Sequence, residues 1–251
     1  MAPHEIRIIP VYFRDEILPG TDLLQKLAEA LRHQKLALAN NDVVVIKHKI
    51  ISKTEGRIVP LESVRPRKSV GTRARRYGSD ARVIEVALRE AKRIVRQKSG
   101  VLITETRHGF VCANSGVDAS NVDGGRSAVL LPDNPDRSAA RLRSKIKKML
   151  GAAVAVIISD SFGRPWREGL TEVAIGTAGM KPLMDYRGKR DPHGYKLHAT
   201  AEAVADELAC AAGLVCGKLN RTPVCIVRGF DYELGRGSAR DLIRKKNDLF
   251  R

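Results

Sequence analysis

Two short stretches set hard oxygen donors beside hydroxyls and glycines. In VAVIISDSFGRPWREG, residues 154–169, an apolar run passes into Asp160 and Ser161, then Gly163, Arg164 and Arg167. In SGVDASNVDGG, residues 115–125, Asp118, Ser120, Asn121 and Asp123 lie between glycines after the strand-like GFVCAN. One or two carboxylates, a hydroxyl and waters are how magnesium or manganese is held beside phosphate. The same composition also makes an ordinary Asx-rich turn, so each stretch alone has two readings. Arg164 and Arg167 could neutralise a phosphoryl group or a carboxylate, or simply charge the surface.

A third stretch, KHKIISKTEGR at residues 47–57, supplies cations. Read as a strand, it puts Lys47, Lys49 and Lys53 on one face by period two. Three such cations repel one another unless an anion lies between them, which points to a polyanionic ligand; an exposed strand face is the alternative. Other chemistries are excluded by spacing. There is no GxxxxGK[ST], no GxGxxG and no GxSxG, so a standard phosphate loop and a serine-hydrolase elbow are both missing. His33, His48, His108, His193 and His198 are scattered without HExxH spacing, which argues against a histidine metal site. Cys112, Cys210, Cys216 and Cys225 form no CxxC, which argues against zinc and against a disulfide framework, and suits a reducing cytoplasm.

The elements that must position these residues read as interspersed strands and helices, an α/β or mixed α+β chain. IRIIPVY and DVVVIKHKII are β-branched strand runs. DLLQKLAEALRHQ has helical spacing, with Thr21 or Asp22 placed to cap it. Residues 79–98 read as a second amphipathic helix closed by Ser99-Gly100. VLITE and GFVCAN pair as a hairpin. DRSAARLRSKIKKMLG is a helix capped by Asp136 or Ser138 and stopped by Gly151, and AVAVIIS is a strand. ATAEAVADELACAAGLVCG is the strongest helix, stopped by Gly217, and PVCIVRG is a last strand.

Bulk composition bounds the partners. The 251 residues carry 45 Lys and Arg against 28 Asp and Glu, a formal charge of +17. That excess welcomes anions, whether nucleic acid or phosphorylated and carboxylated small molecules. It concentrates at residues 65–76, 91–98 and 141–148, of which the last two read as polar faces of helices. Aromatic residues are 4% of the chain and none interleave with these runs, which weakens a base-stacking platform. No run of about 18 apolar residues exists to span a bilayer, and MAPHEIRIIP has no secretory signal pattern.

Taken together, five ordered blocks resemble the coenzyme F-420 gamma-glutamyl ligases: DVVVIKHKIISKTEGRIVPL; NSGVDASNV with LLPDNPDRSA; VAVIISDSFGRPWREGLTEVAIGTAGM; DYRGKRDPHGYKL; and AVADELACAAGLVCGK with PVCIVRG. The resemblance implies an enzyme that adds L-glutamate, as a γ-linked tail, to coenzyme F-420-0. It implies GTP as co-substrate, an acyl-phosphate intermediate, a divalent ion (Mn2+ or Mg2+) and K+ as a candidate further ion. It implies a family-specific α/β fold in an intertwined homodimer. Residues 1–251 would be one unit with no clear linker between any subdomains and no appended nitroreductase-like domain.

By the same resemblance Asp118 and Asp160 are metal ligands with Ser161 beside them, and Asn121 contacts the nucleotide. Lys53 matches the Lys of SKxEGR, with His48 and Lys49 near the nucleotide. Residues 216–223, including Gly217 and Lys218, match a nucleotide- and metal-contacting loop, and Ile17 falls where relatives approach the nucleotide. Two departures stand out: Lys218 replaces an acidic second-metal ligand, and FRDEILPG lacks a Gly-Leu-Pro. A ligase of the same mechanism acting on another acidic acceptor, and a basic nucleic-acid-binding protein using residues 65–76, are the rival expectations.

Overall fold

The computed structural model describes residues 5–120, 123–244 and 248. In chain order the strands are β1 (Arg7–Val11), β2 (Val43–Lys47), β3 (Ile58–Pro60), β4 (Ala91–Lys98), β5 (Val101–Thr106), β6 (Val111–Ala113), β7 (Ser127–Val129), β8 (Ala155–Arg164), β9 (Arg167–Ala178), β10 (Met184–Asp185), β11 (Ala201–Glu202) and β12 (Val224–Arg228). The helices are α1 (Leu23–His33), α2 (His48–Thr54), α3 (Lys68–Tyr77), α4 (Ala81–Glu90), α5 (Pro135–Leu150) and α6 (Val204–Cys216). Among the described residues no helix is long and apolar enough to cross a membrane.

The main sheet has the order β1-β12-β2-β8-β9. β2 and β8 run parallel, and the other neighbouring pairs are antiparallel. Apolar side chains of its central strands are buried on both faces, which is why those strands read as unbroken apolar runs. Val44, Ile46, Val156, Ile158 and Ile226 pack with Leu24 and Leu27 of α1 and Leu142 and Ile146 of α5. Their period-two neighbours Val43, Val45, Ala155, Ile157 and Val227 pack with Leu208, Ala209 and Ala212 of α6. The approach of α5 to β9 is so close that a Cβ on Gly176 would lie 2.5 Å from the Pro135 carbonyl carbon. A separate cluster, Leu61, Val64, Val86, Leu102, Val117 and Leu130, joins α4 to the small β4-β5-β6 and β3-β7 sheets.

Several sequence expectations are met: Asp22 caps α1 by accepting from Leu24 and Gln25, and Gly151 ends α5 in the left-handed conformation. Others are corrected. Residues 79–98 are not one helix. α4 stops at Glu90, and β4 pairs antiparallel with β5, so cross-strand bonding decides a segment whose residues allow either form. Ser99 and Gly100, both at positive φ, turn that hairpin. The basic run 91–98 is therefore a strand, while 65–76 falls largely in α3. The strand in DVVVIKHKII stops at Lys47, and α2 begins at His48. α5 is capped by Asn134 accepting from Arg137. Asp136 instead accepts from Thr177 and Ala239.

Candidate functional site

The parallel pair β2–β8 sets Lys47 opposite Ser159, so His48 and Asp160 follow side by side. Asp160 is not at a strand tip: β8 continues through it to Arg164 and pairs with β9, with Asp160 opposite Val173. The chain leaving β2 turns at once into the seven-residue α2. Successive side chains on a helix diverge by about 100°, and His48 and Lys49 go to different acids. Nε2 of the buried His48 lies 3.2 Å from Asp160 Oδ1, and its Nδ1 lies 3.3 Å from Ser52 Oγ. Lys49 Nζ lies 2.5 Å from Asp118 Oδ2. One turn on, Lys53 donates to Glu16 at 2.7 Å. The two aspartates are thus tied to adjacent residues of one helical turn.

Asp118 is held from behind. Its backbone pairs with Val129 of β7 in both directions, at 3.0 and 2.8 Å. Gly116 just before it has φ +70°, and a Cβ there would meet Leu131 at 2.8 Å, so this turn requires glycine. Ser120 N–H donates to Asp118 Oδ1 at 2.6 Å, and Ser161 N–H donates to Asp160 Oδ1 at 2.7 Å. Cys112 sits close by; burial, then the charge of Asp160, pushes its thiol up to about 12, which makes it inert.

A third acid, Glu172 of β9, organises the other side of the cluster and was not foreseen from sequence. It is 7% exposed and pairs with Lys47 at 2.6 Å. It also accepts from Ser161 Oγ at 2.7 Å and Ser159 Oγ at 3.0 Å. Lys218, in the loop after α6, contacts Ser161 Oγ and stands 3.6 Å from Glu172. That loop is seated on the same edge: Lys47 N–H donates to Pro223 O at 2.9 Å, and Phe13 N–H donates to Arg221 O at 2.9 Å. Gly217 caps α6 at φ +57°, where a Cβ would lie 3.0 Å from Asn220 Nδ2.

Electrostatics favour the charged acids. Burial raises the Glu172 carboxyl, but the hydrogen bond and charge of Lys47, then Ser161 and Lys218, bring it below its ordinary value. Burial likewise opposes Asp118, and Lys49 and Ser120 outweigh it, so that carboxyl too is lowered. Each of these bases is paired with an acid: Lys47 and Lys218 with Glu172, His48 with Asp160, Lys49 with Asp118 and Lys53 with Glu16.

Of the residues singled out from sequence, His48, Lys49, Lys53, Asp118, Asp160, Ser161 and Lys218 fall in this cluster, with Gly217 beside Lys218. The period-two face for Lys47, Lys49 and Lys53 is replaced by a strand end and a helix, with Lys49 and Lys53 one turn apart. Ile17 is buried in the main apolar cluster, so its side chain serves the core. Arg164 and Arg167 lie at the exposed tip of the β8–β9 hairpin, where Arg164 donates to Glu168 O, apart from the cluster. Asn121 lies outside the described residues. Among the described residues no group of three or more His, Cys, Asp and Glu side chains is placed to hold a metal ion. Asp118, Asp160 and Ser161 still present two carboxylates and a hydroxyl, hard oxygens of the kind magnesium takes with waters and phosphate completing its shell.

Comparison with known proteins identifies the family. The family described as F420-0:Gamma-glutamyl ligase matches residues 14–229. The chain is 44% identical over 252 residues to the coenzyme F420:L-glutamate ligase of Methanopyrus kandleri, covering 98% of each chain. It is 45% identical over 216 residues to the enzyme of that name in Methanocaldococcus jannaschii, covering 85% of this chain and 86% of the relative. A third, from Methanothermobacter thermautotrophicus, is 42% identical over 236 residues, covering 92% and 93%. This protein is an enzyme, a ligase. It belongs to the F420-0:gamma-glutamyl ligase family.

Proposed function

We propose that the enzyme joins L-glutamate to coenzyme F-420-0 as a γ-linked tail, driven by GTP through an acyl phosphate. A carboxylate oxygen of the acceptor attacks the γ-phosphorus of GTP, and GDP leaves. The glutamate amine then attacks the acyl carbon, phosphate leaves and the amine gives up a proton. Such transfers depend chiefly on positioning and on neutralising charge that develops on oxygens. The β2–α2 junction carries the reading: one strand end and one helical turn deliver Lys47, His48, Lys49 and Lys53 against four acids from separate segments.

In this scheme Lys47, Lys49, Lys53 and Lys218 meet phosphate oxygens, and the carboxylates they now hold keep them extended and in place. Asp118, Asp160 and Ser161 are the groups that would hold a divalent ion, Mn2+ or Mg2+, and the ion would supply charge neutralisation on the phosphates. A bound K+ is part of the same proposal. His48, fixed by Ser52, orients Asp160. Asn121, Gly217 and the backbone near Ile17 are assigned to the nucleotide, as the family resemblance suggests.

We also propose a homodimer working in the cytoplasm, with residues 1–251 acting as one unit. The β8–β9 hairpin beyond Asp160 supports the dimer, since it extends past the sheet and exposes Trp166 at 85% and Leu170 at 63%. Purified enzyme given GTP, glutamate, Mn2+ and F-420-0 releases phosphate only when the deazaflavin is present. Release with other acidic acceptors and not with F-420-0 would reassign the substrate.

A further inference from the structure

Outside the lysine–aspartate cluster the structure has an open cleft of about 980 Å³ along α5. One wall is a single face of that helix, with Asp136, Arg137, Ala140, Arg143 and Lys147 recurring at helical spacing. The other wall is the end of β9, with Thr177 and Gly179, and the loop that carries Arg236 and Arg240. From Asp136 to Lys147 the helix runs about 16 Å. Thr177 and Glu172 share β9 five residues apart, which sets the cleft roughly 16 Å along the strand from the cluster.

Its charge is one-sided. Five cations line it, and among the described residues none of the five forms an ion pair: Arg137, Arg143, Lys147, Arg236 and Arg240. Arg143 spends its Nε on Val154 O at 2.9 Å. Asp136, the one acid of the lining among the described residues, is already used: it accepts from Thr177 N–H at 2.8 Å, Ala239 N–H at 3.0 Å and Ser238 Oγ at 2.6 Å. Thr177, 2% exposed, carries a buried hydroxyl with no hydrogen-bond partner among the described residues, an arrangement that folding alone does not favour. The positive end of the α5 dipole adds to the same field. Like charges gathered this way repel, and their cost is relieved by an anion between them.

We infer that this cleft is a second binding site, which takes an elongated small-molecule oligoanion, a string of phosphoryl or carboxylate groups spanning the length of the helix face. The volume is that of a small-molecule site. Among the described residues no aromatic side chain lines it, so these offer no stacking surface of the kind a nucleic-acid strand would use. Bidentate arginines suit either oxyanion, and a phosphate chain and a γ-linked glutamyl chain are the two sources of that chemistry.

The test is calorimetric titration of the full chain, with chelator present, using inorganic tripolyphosphate in one arm and γ-linked triglutamate in the other. Wild type is compared with Arg236→Ala/Arg240→Ala and with the cluster variant Lys49→Ala/Lys218→Ala. The expected result is tight binding in at least one arm, which identifies the source, weakened at least tenfold by the loop variant and unchanged by the cluster variant. Neither loop arginine side chain makes a described hydrogen bond, and Arg137→Gln on the exposed face of α5 reads the same field should the loop variant fail to fold. Absence of binding in both arms, equal binding by the cleft variants, loss in the cluster variant alone, or displacement by a short single-stranded RNA would each overturn the assignment.

Discussion

Replacing Glu172 by glutamine keeps the side chain's shape and removes its charge. In the native protein that carboxylate satisfies Lys47 at 2.6 Å and two serine hydroxyls, with Lys218 at 3.6 Å. Breaking a buried ion pair by removing one member costs about 3–5 kcal/mol when the other charge is stranded. Here the Lys47 side chain is 20% exposed and the Lys218 side chain 65% exposed, so both regain water in part, and a loss of about 2–3 kcal/mol follows. For a chain of this size that is a fall in Tm of roughly 4–12 °C.

The same variant carries a pH signature. The folded Glu172 carboxyl lies below its ordinary value of 4.5, so its contribution is complete above that value and is lost as pH falls through the lower folded one. The Tm gap between wild type and Glu172→Gln should therefore be full at pH 7 and close on acidification below 4.5. Adding Lys47→Met to Glu172→Gln should recover about 1 kcal/mol or more, because the stranded cation is gone. Scanning calorimetry of the four proteins of this cycle from neutral to acid pH is the assay. A Glu172→Gln protein as stable as wild type, or strictly additive single and double variants, would mean that Glu172 and Lys47 are not an energetically coupled pair.

Other outcomes follow from the same geometry. Asp160→Asn should lower turnover by orders of magnitude while circular dichroism stays native; near wild-type rates would remove it from the chemistry. Lys53→Ala should raise the GTP concentration needed for half-maximal rate, and Glu16→Gln, which releases Lys53 but keeps its charge, should raise it less; both are read from initial rates. Gly176→Ala should cost about 2 kcal/mol or more, since its Cβ would press on the Pro135 backbone, a fall in Tm seen without any change at the cluster. Gel shifts at physiological salt should show no DNA or RNA retained by the α3 arginines; steeply salt-dependent retention that survives Asp118→Asn/Asp160→Asn would favour the nucleic-acid rival.

Much of this was legible in the residues, for physical reasons. The core strands announce themselves because both faces of the main sheet are covered, and Asp22, Gly151 and Gly217 act as local punctuation. The two aspartates stand out only through the ordered blocks that carry the family resemblance, since acids beside glycines and hydroxyls also make an ordinary Asx turn. The errors lie where local pattern is degenerate. VVVIKHKII is apolar enough to be strand or helix, and the start of α2 is set by packing on β7 and β8. Residues 91–98 keep a helical spacing that pairing with β5 overrides. Glu172 was missed because its partners Lys47, Ser159, Ser161 and Lys218 come from three distant segments. Its only local sign is a lone acid in the strand LTEVAIG, whose meaning depends on which side chains the sheet brings to it.

Adjacent residues of α2, His48 and Lys49, hold Asp160 and Asp118, and the proposed ligation needs both acids. Mass spectrometry of the deazaflavin after incubation with GTP, L-glutamate and Mn2+ tests it most directly, comparing wild type with folded Asp118→Asn and Asp160→Asn proteins. Wild type should give glutamyl-extended product, and either variant essentially none. Unchanged product from either variant would contradict that requirement.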